Sequence, residues 1–204
     1  MKIYGDLISP FVRMTIVTAH EVGLGGKVEH IVENTNPAQV NARLAALSPI
    51  AKIPILETDH GHGIYDSRVI IEYLCHVAGN SSLIPDDGVR RFRVLTLAAL
   101  GQAMADAAVG YRYEVAARPK GLQWEDWMNR ALTRINAALD DLEANWMETL
   151  AEVTAGSIAV GVTLAYIDFR LPDFGWRNGR PKLAAWHEAF CRRESMVSTA
   201  FKPR

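Results

Sequence analysis

The sequence predicts an α/β unit of order βαβ then ββα, followed by a unit that is helical throughout. Three observations carry this. The first 79 residues alternate short β-branched runs with longer runs of helical period. Residues 80–88 break the pattern with Asn80-Ser81-Ser82 and Pro85-Asp86-Asp87-Gly88, the composition of a linker. Beyond it no segment alternates as a strand does. The expected organisation is therefore 1–79, a linker at 80–88, and a helical unit at 89–204.

Each element has a local reason. Lys2 to Gly5 reads as a strand closed by Asp6. Ser9-Pro10 places a favoured N-cap before a proline at the first helical position, so a helix runs from Ser9 to about Val22. Gly23, Gly25 and Gly26 stop it. Val28 to Glu33 is a strand and Ala38 to Leu47 a helix, which completes a parallel βαβ pattern. Lys52 to Thr58 is a strand in which Pro54 removes a ladder donor. Asp59-His60-Gly61-His62-Gly63 turns the chain, Ile64-Tyr65 returns antiparallel, and Asp66-Ser67 opens a helix to Ala78, stopped by Gly79. In the second unit, helices are expected over Val89 to Ala117 and Trp124 to Leu150. A third runs from Ile158 to Leu171 with Thr154 as its cap, and a fourth starts near Pro181.

The totals exclude several classes. The chain has 204 residues, enough for two small units with real cores. Its 22 basic and 23 acidic side chains give a net charge of −1, and no basic stripe marks a nucleic-acid binder. The short cluster Arg90-Arg91-Phe92-Arg93 reads as a solvated helix face. No apolar run is read as a membrane span, and the first residues form a strand rather than the apolar core of an export signal. Cys75 and Cys191, far apart and without CxxC spacing, fit a reducing compartment and read as buried core thiols. The expectation is a cytoplasmic protein. His60 and His62 sit in a glycine-rich turn with no acidic or cysteine partner nearby, so they read as a polar loop and no metal is expected.

Four segments, in order, carry a resemblance. They are Ser9-Pro10-Phe11-Val12-Arg13, Ser48-Pro49-Ile50-Ala51-Lys52-Ile53-Pro54, Asp66-Ser67 with the helix behind it, and Thr154 to Arg170 ending Tyr166-Ile167-Asp168-Phe169-Arg170. Together they resemble the glutathione transferases, the bacterial serine-type classes in particular, across essentially the whole chain. The resemblance implies a thioredoxin-like first domain that binds glutathione and a helical second domain.

It also implies roles. Ser9 would donate a hydrogen bond to the glutathione sulfur. A free thiol titrates near 8.5, so a thiolate at neutral pH needs such a donor and a positive field, which a helix N-terminus supplies. Read from spacing alone, Ser9 is equally a plain cap. Pro54 would be cis, letting the Ile53 main chain pair with glutathione like an added strand. Asp66 would take the γ-glutamyl ammonium, and Ser67 with its helix N-terminus the carboxylate. Lys52 would reach the glycyl carboxylate or be a solvated lysine.

Asp106 matches an aspartate that approaches the glutathione amine across a dimer interface, and otherwise reads as a helix-surface or capping residue. Arg13 reads as a surface cation, or as a residue near the site. The small hydrophobic electrophile would meet Phe11, the stretch from Met104 through Tyr111 to Tyr113, and Trp176. The implied activity is glutathione transfer in detoxification by a homodimer. A silent binding module, or a glutathione-dependent isomerase or dehalogenase, is the alternative. Departures are Ala51 for the family's usual glycine, Ser48 for asparagine, Gly156-Ser157 for Ala-Asp, and Leu100 for a second aspartate. Ser157 is expected to cap more weakly than aspartate. With no cysteine at the Ser9 position, thiol-transfer chemistry is disfavoured.

Overall fold

A computed structural model describes residues 1–86 and 88–202. Asp87 of the expected linker, and residues 203–204 of the expected helical unit, lie outside the described residues. The described residues fall into two compact units, Met1–Arg91 with the chain from Arg193 onward, and Phe92–Arg192.

The first unit is built on one mixed sheet of order β2-β1-β3-β4. β1 (Lys2–Tyr4) is parallel to β2 (Glu29–Ile31), and α1 (Pro10–Glu21) is the crossover that a parallel pair requires. β3 (Ile55–Glu57) is antiparallel to β1, with Ile55 opposite Tyr4. β4 (Gly63–Ile64) is antiparallel to β3, with Ile64 opposite Leu56. The strands are shorter than the sequence suggested. β3 starts only at Ile55, since Pro54 has no N–H to give the ladder.

α2 (Ala42–Leu47) begins four residues later than expected, because Asn41 is its cap and accepts from the Arg43 and Leu44 N–H groups. α3 (Ser67–Ala78) is capped by Asp66 and ended by Gly79 in the left-handed region at φ 60°. Ile3, Val12, Ile16, Leu56, Ile70 and Leu74 close the core on one side of the sheet, and Tyr4, Leu44 and Ile55 on the other. Each such side chain contributes roughly 1.5–3 kcal/mol through burial.

The second unit holds most of α4 (Gly88–Ala116), then α5 (Glu125–Asn145), α6 (Met147–Leu150), α7 (Ala155–Arg170) and α8 (Pro181–Phe190). The single helix expected over 124–150 breaks at Trp146, whose φ of −117° departs from the helical mean and whose indole donates to Asp141. α7 is buried almost throughout. Its N-terminus is a complete capping box: the Thr154 N–H donates to Ser157 Oγ at 2.8 Å, and the Ser157 N–H to Thr154 Oγ1 at 3.3 Å. Ser157 thus closes both arms of the box in place of the aspartate expected there.

α4 and α7 meet backbone to backbone. A Cβ at Gly101 would lie 2.8 Å from the Ala159 carbonyl carbon, and Thr163 Oγ1 donates to the Gly101 carbonyl at 3.0 Å. By length and composition α4 could cross a bilayer, contrary to the sequence reading, yet 44% of its apolar stretch is buried inside the protein.

The chain then comes back. α9 (Glu194–Ser198) packs on α1 in the first unit, although the sequence assigned 89–204 to one helical unit.

Candidate functional site

Strand direction gathers three distant segments. β1 and β4 are both antiparallel to β3, so their C-terminal ends and the start of β3 share one sheet edge. Ser9 follows β1, Ile53-Pro54 precedes β3, and Asp66-Ser67 follows β4. All three therefore stand at that edge. Gly5 lets them close up. Its φ is 145°, and a Cβ there would lie 2.4 Å from Val12 Cγ2 and 3.0 Å from Ile53 Cβ. Only glycine fits both the dihedral and the approach.

Each segment presents polar groups. Ser9 is half-buried and caps α1, its Oγ accepting from the Val12 N–H at a long 3.5 Å. The Ser9 O–H itself donates to nothing among the described residues. The Ile53–Pro54 peptide is cis, as the resemblance implied, and the Tyr65–Asp66 peptide is cis as well. Ile53 lies just outside the β1–β3 ladder. Asp66 is exposed; Oδ1 accepts from the Arg68 N–H at 3.0 Å and Oδ2 lies 3.2 Å from the Arg68 guanidinium. Ser67 is buried at the first position of α3. Lys52 is exposed, with no ion pair among the described residues.

The two departures in the preceding loop have structural costs. Ala51 sits at φ 47°, the left-handed region that glycine enters freely. Ser48 is buried and its hydroxyl has no hydrogen-bond partner among the described residues.

Arg13 corrects the sequence reading. It is not a surface cation but 2% exposed. Nε donates to Thr199 Oγ1 at 3.2 Å, a terminal nitrogen donates to the Met196 carbonyl at 2.9 Å, and the guanidinium lies 4.3 Å from the Phe201 ring centroid. Cys191 also departs from expectation, being half-buried rather than a core thiol. His60 and His62 are exposed in the β3–β4 turn. Among the described residues no group of His, Cys, Asp and Glu is arranged to hold a metal.

The residues assigned to an electrophile are divided. Phe11 is half-buried on α1 of the first unit. On α4 of the second unit Tyr111 is half-buried, Asp106 is exposed, and Met104 is 2% exposed. Trp176 is 2% exposed and donates its indole N–H to Asp168 at 2.7 Å, so it and Met104 are core side chains of that unit.

Sequence reasoning missed a cationic cluster at the C-terminal ends of α4 and α7. The buried Tyr166 hydroxyl is pushed up to about 12, first by burial, with Arg170 and Arg112 opposing and Tyr113 adding to the rise. Arg170 stacks 4.4 Å over the Phe169 ring, and its buried Nε has no hydrogen-bond partner among the described residues. Neither arginine has a carboxylate partner among the described residues. The available signal was the i, i+4 spacing of Tyr166 and Arg170 on one helix face.

Comparison with known proteins agrees with the geometry. Residues 8–77 match the family model of the glutathione S-transferase N-terminal domain, and residues 125–189 that of its C-terminal domain. The uncharacterized GST-like protein YibF of Escherichia coli K12 is 32% identical over 202 residues, 98% of each chain. A glutathione transferase family member from Pseudomonas fluorescens Pf-5, solved with bound glutathione, is 39% identical over 99% of each chain, with a TM-score of 0.96. A structure of a family member from the same strain, with bound S-(propanoic acid)-glutathione, is 38% identical over 100% of each chain, with a TM-score of 0.92.

Proposed function

The chain belongs to the glutathione S-transferase family, and on that footing we propose that its α/β unit binds glutathione and activates the thiol for attack on an electrophile. One observation carries the proposal: a single sheet edge holds an undonated Ser9 hydroxyl, a cis Ile53–Pro54 and the N-terminus of α3. In this reading the Ser9 O–H donates to the glutathione sulfur, and the α1 N-terminus favours its negative charge. The Ile53 N–H and C=O pair with the cysteinyl backbone as an added strand. Asp66 takes the γ-glutamyl ammonium, Ser67 and the α3 N–H groups the carboxylate beside it, and Lys52 the glycyl carboxylate. The glutathione bound to the Pseudomonas relative supports glutathione as the ligand.

The second substrate is read as an electrophile with an apolar body and an acid group. Arg112 and Arg170, which lack carboxylate partners among the described residues, favour the acid group. The propanoic acid conjugate bound to a relative supports the same class. The reading includes a cytoplasmic homodimer in which Asp106 faces the partner's glutathione.

The test is calorimetry with glutathione, followed by turnover. Wild type should bind glutathione in the micromolar to millimolar range, and the double change Asp66→Ala with Ser67→Ala should abolish it. Ser9→Ala should keep binding and lower kcat about 10²-fold or more, the usual effect of removing one donor to a developing anion. Full turnover in Ser9→Ala would remove its catalytic role. Binding without turnover on any electrophile would leave a binding module.

A further inference from the structure

The two cysteines differ in their surroundings. Cys75 is 5% exposed, and its thiol is pushed up to about 11 by burial first and then by the charge of Glu72. Cys191 is half-buried at the C-terminal end of α8, with Sγ 3.3 Å from His187 Nε2. The His187 ring is 3% exposed, edge-on to Trp176 at 5.4 Å and tilted against Trp186 at 6.4 Å. Its Nε2 also lies 3.1 Å from the Gly161 carbonyl of α7, and its Nδ1 lies 4.0 Å from Asp168 Oδ2. Asp168 is fixed in turn by the Trp176 indole at 2.7 Å and by both terminal nitrogens of Arg177, at 2.6 and 2.7 Å.

A carbonyl beside Nε2 accepts only, so Nε2 carries a hydrogen. The carboxylate nearest Nδ1 also accepts only. Nε2 lies against both the Gly161 carbonyl and the Cys191 sulfur, and Nδ1 faces the Asp168 carboxylate at 4.0 Å, so the ring is set beside the thiol with a third group behind it, the arrangement of a nucleophile and its base. The helix end points the same way for the ring: a C-terminal turn favours His⁺. It disfavours a thiolate, so a charge on the Cys191 sulfur would have to be balanced by His187. Arg177 adds to this. Its own pKa is raised by the Asp168 hydrogen bond first, by Asp168's charge, and then by Cys191, which places the guanidinium within electrostatic reach of the sulfur. Half of the Arg177 side chain remains exposed to meet a carboxylate on an incoming molecule.

We propose that Cys191 and His187, oriented by Asp168, form a second nucleophilic site that exchanges with small acidic disulfides such as glutathione disulfide. The proton of Cys191 resides on His187. The Cys191 thiolate attacks one sulfur of the disulfide, the S–S bond breaks, and a Cys191–glutathione disulfide forms. The second glutathione leaves as thiolate and takes the proton from His187, so no outside oxidant is needed. This site lies wholly in the helical unit and does not depend on the role proposed for Ser9.

Native protein is alkylated with iodoacetamide between pH 6 and 8, and each cysteine is read by peptide mass spectrometry. An ordinary thiol with a pKa of about 8.5 slows by nearly two orders of magnitude over that range. Cys191 should slow by less than about fivefold, and Cys75 should stay unlabelled. His187→Gln should restore the steep profile. Incubation with glutathione disulfide should give one adduct, on Cys191, lost in Cys191→Ser, and the cationic disulfide cystamine should react more slowly. A steep profile for wild-type Cys191, or labelling no faster than at Cys75, overturns the proposal. Both readouts use wild type, so they decide the matter even if His187→Gln fails to fold.

Discussion

At the scale of single residues, the loop before the cis proline is where this chain departs from its family and where its stability is most easily raised. Ala51 at φ 47° carries a left-handed cost of about 1–2 kcal/mol, of which a glycine would give back part to its own unfolded-state entropy. Ala51→Gly should therefore stabilise by about 0.5–1 kcal/mol, read as a rise in the urea midpoint. Ser48→Ala removes a buried hydroxyl without a partner and should be neutral or stabilising by up to about 1 kcal/mol. The opposite holds for Arg13. Arg13→Met deletes the buried hydrogen bonds to Thr199 and the Met196 carbonyl and should destabilise by about 2–4 kcal/mol. The caps Ser9 and Asp66 were legible because capping acts through the local backbone, and the cis form of Pro54 came only with the resemblance. Arg13 was not legible, because its acceptors lie more than 180 residues away in sequence.

Among the elements, α7 shows what a local motif decides. Thr154→Ala should cost about 1–2 kcal/mol, and adding Ser157→Ala should cost less than the sum of the single changes, since the two share one box. A double-mutant cycle in urea checks this. Its neighbour α4 depends on a long-range fit: Gly101→Ala forces a Cβ into the backbone at Ala159 and Val160, and should lower the melting temperature by several degrees. The seam between α1 and α9 is electrostatic. The Arg193 hydrogen bond first, and Ser195 after it, hold the Glu21 carboxyl below its usual value of 4.5. A depressed folded pKa means that this stabilisation is present above about pH 4.5 and is lost as pH falls through the lower folded value. Glu21→Gln should flatten the acid limb of stability against pH. Helix starts were readable from Ser9, Asp66 and Thr154. The break at Trp146 was not, because no Gly or Pro marks it.

For the molecule as a whole, the composition break at 80–88 lies just ahead of the point, Arg91–Phe92, where the two compact units divide. The return of the chain was invisible, because Arg193 to Phe201 makes sense only against a helix near the other end of the sequence. Light scattering should give a concentration-independent dimer mass, as the proposed function expects, and a monomer mass would remove the partner's share in the glutathione site. The return of α9 also makes the two units unequal under truncation. The unit Phe92–Arg192 is contiguous in sequence. The first unit takes the acceptors for Arg13 and the partner of Glu21 from residues 193–199. A protein shortened to end at Arg192 should thus keep its second unit resistant to protease while its first unit is cut, and limited proteolysis read by mass spectrometry checks this.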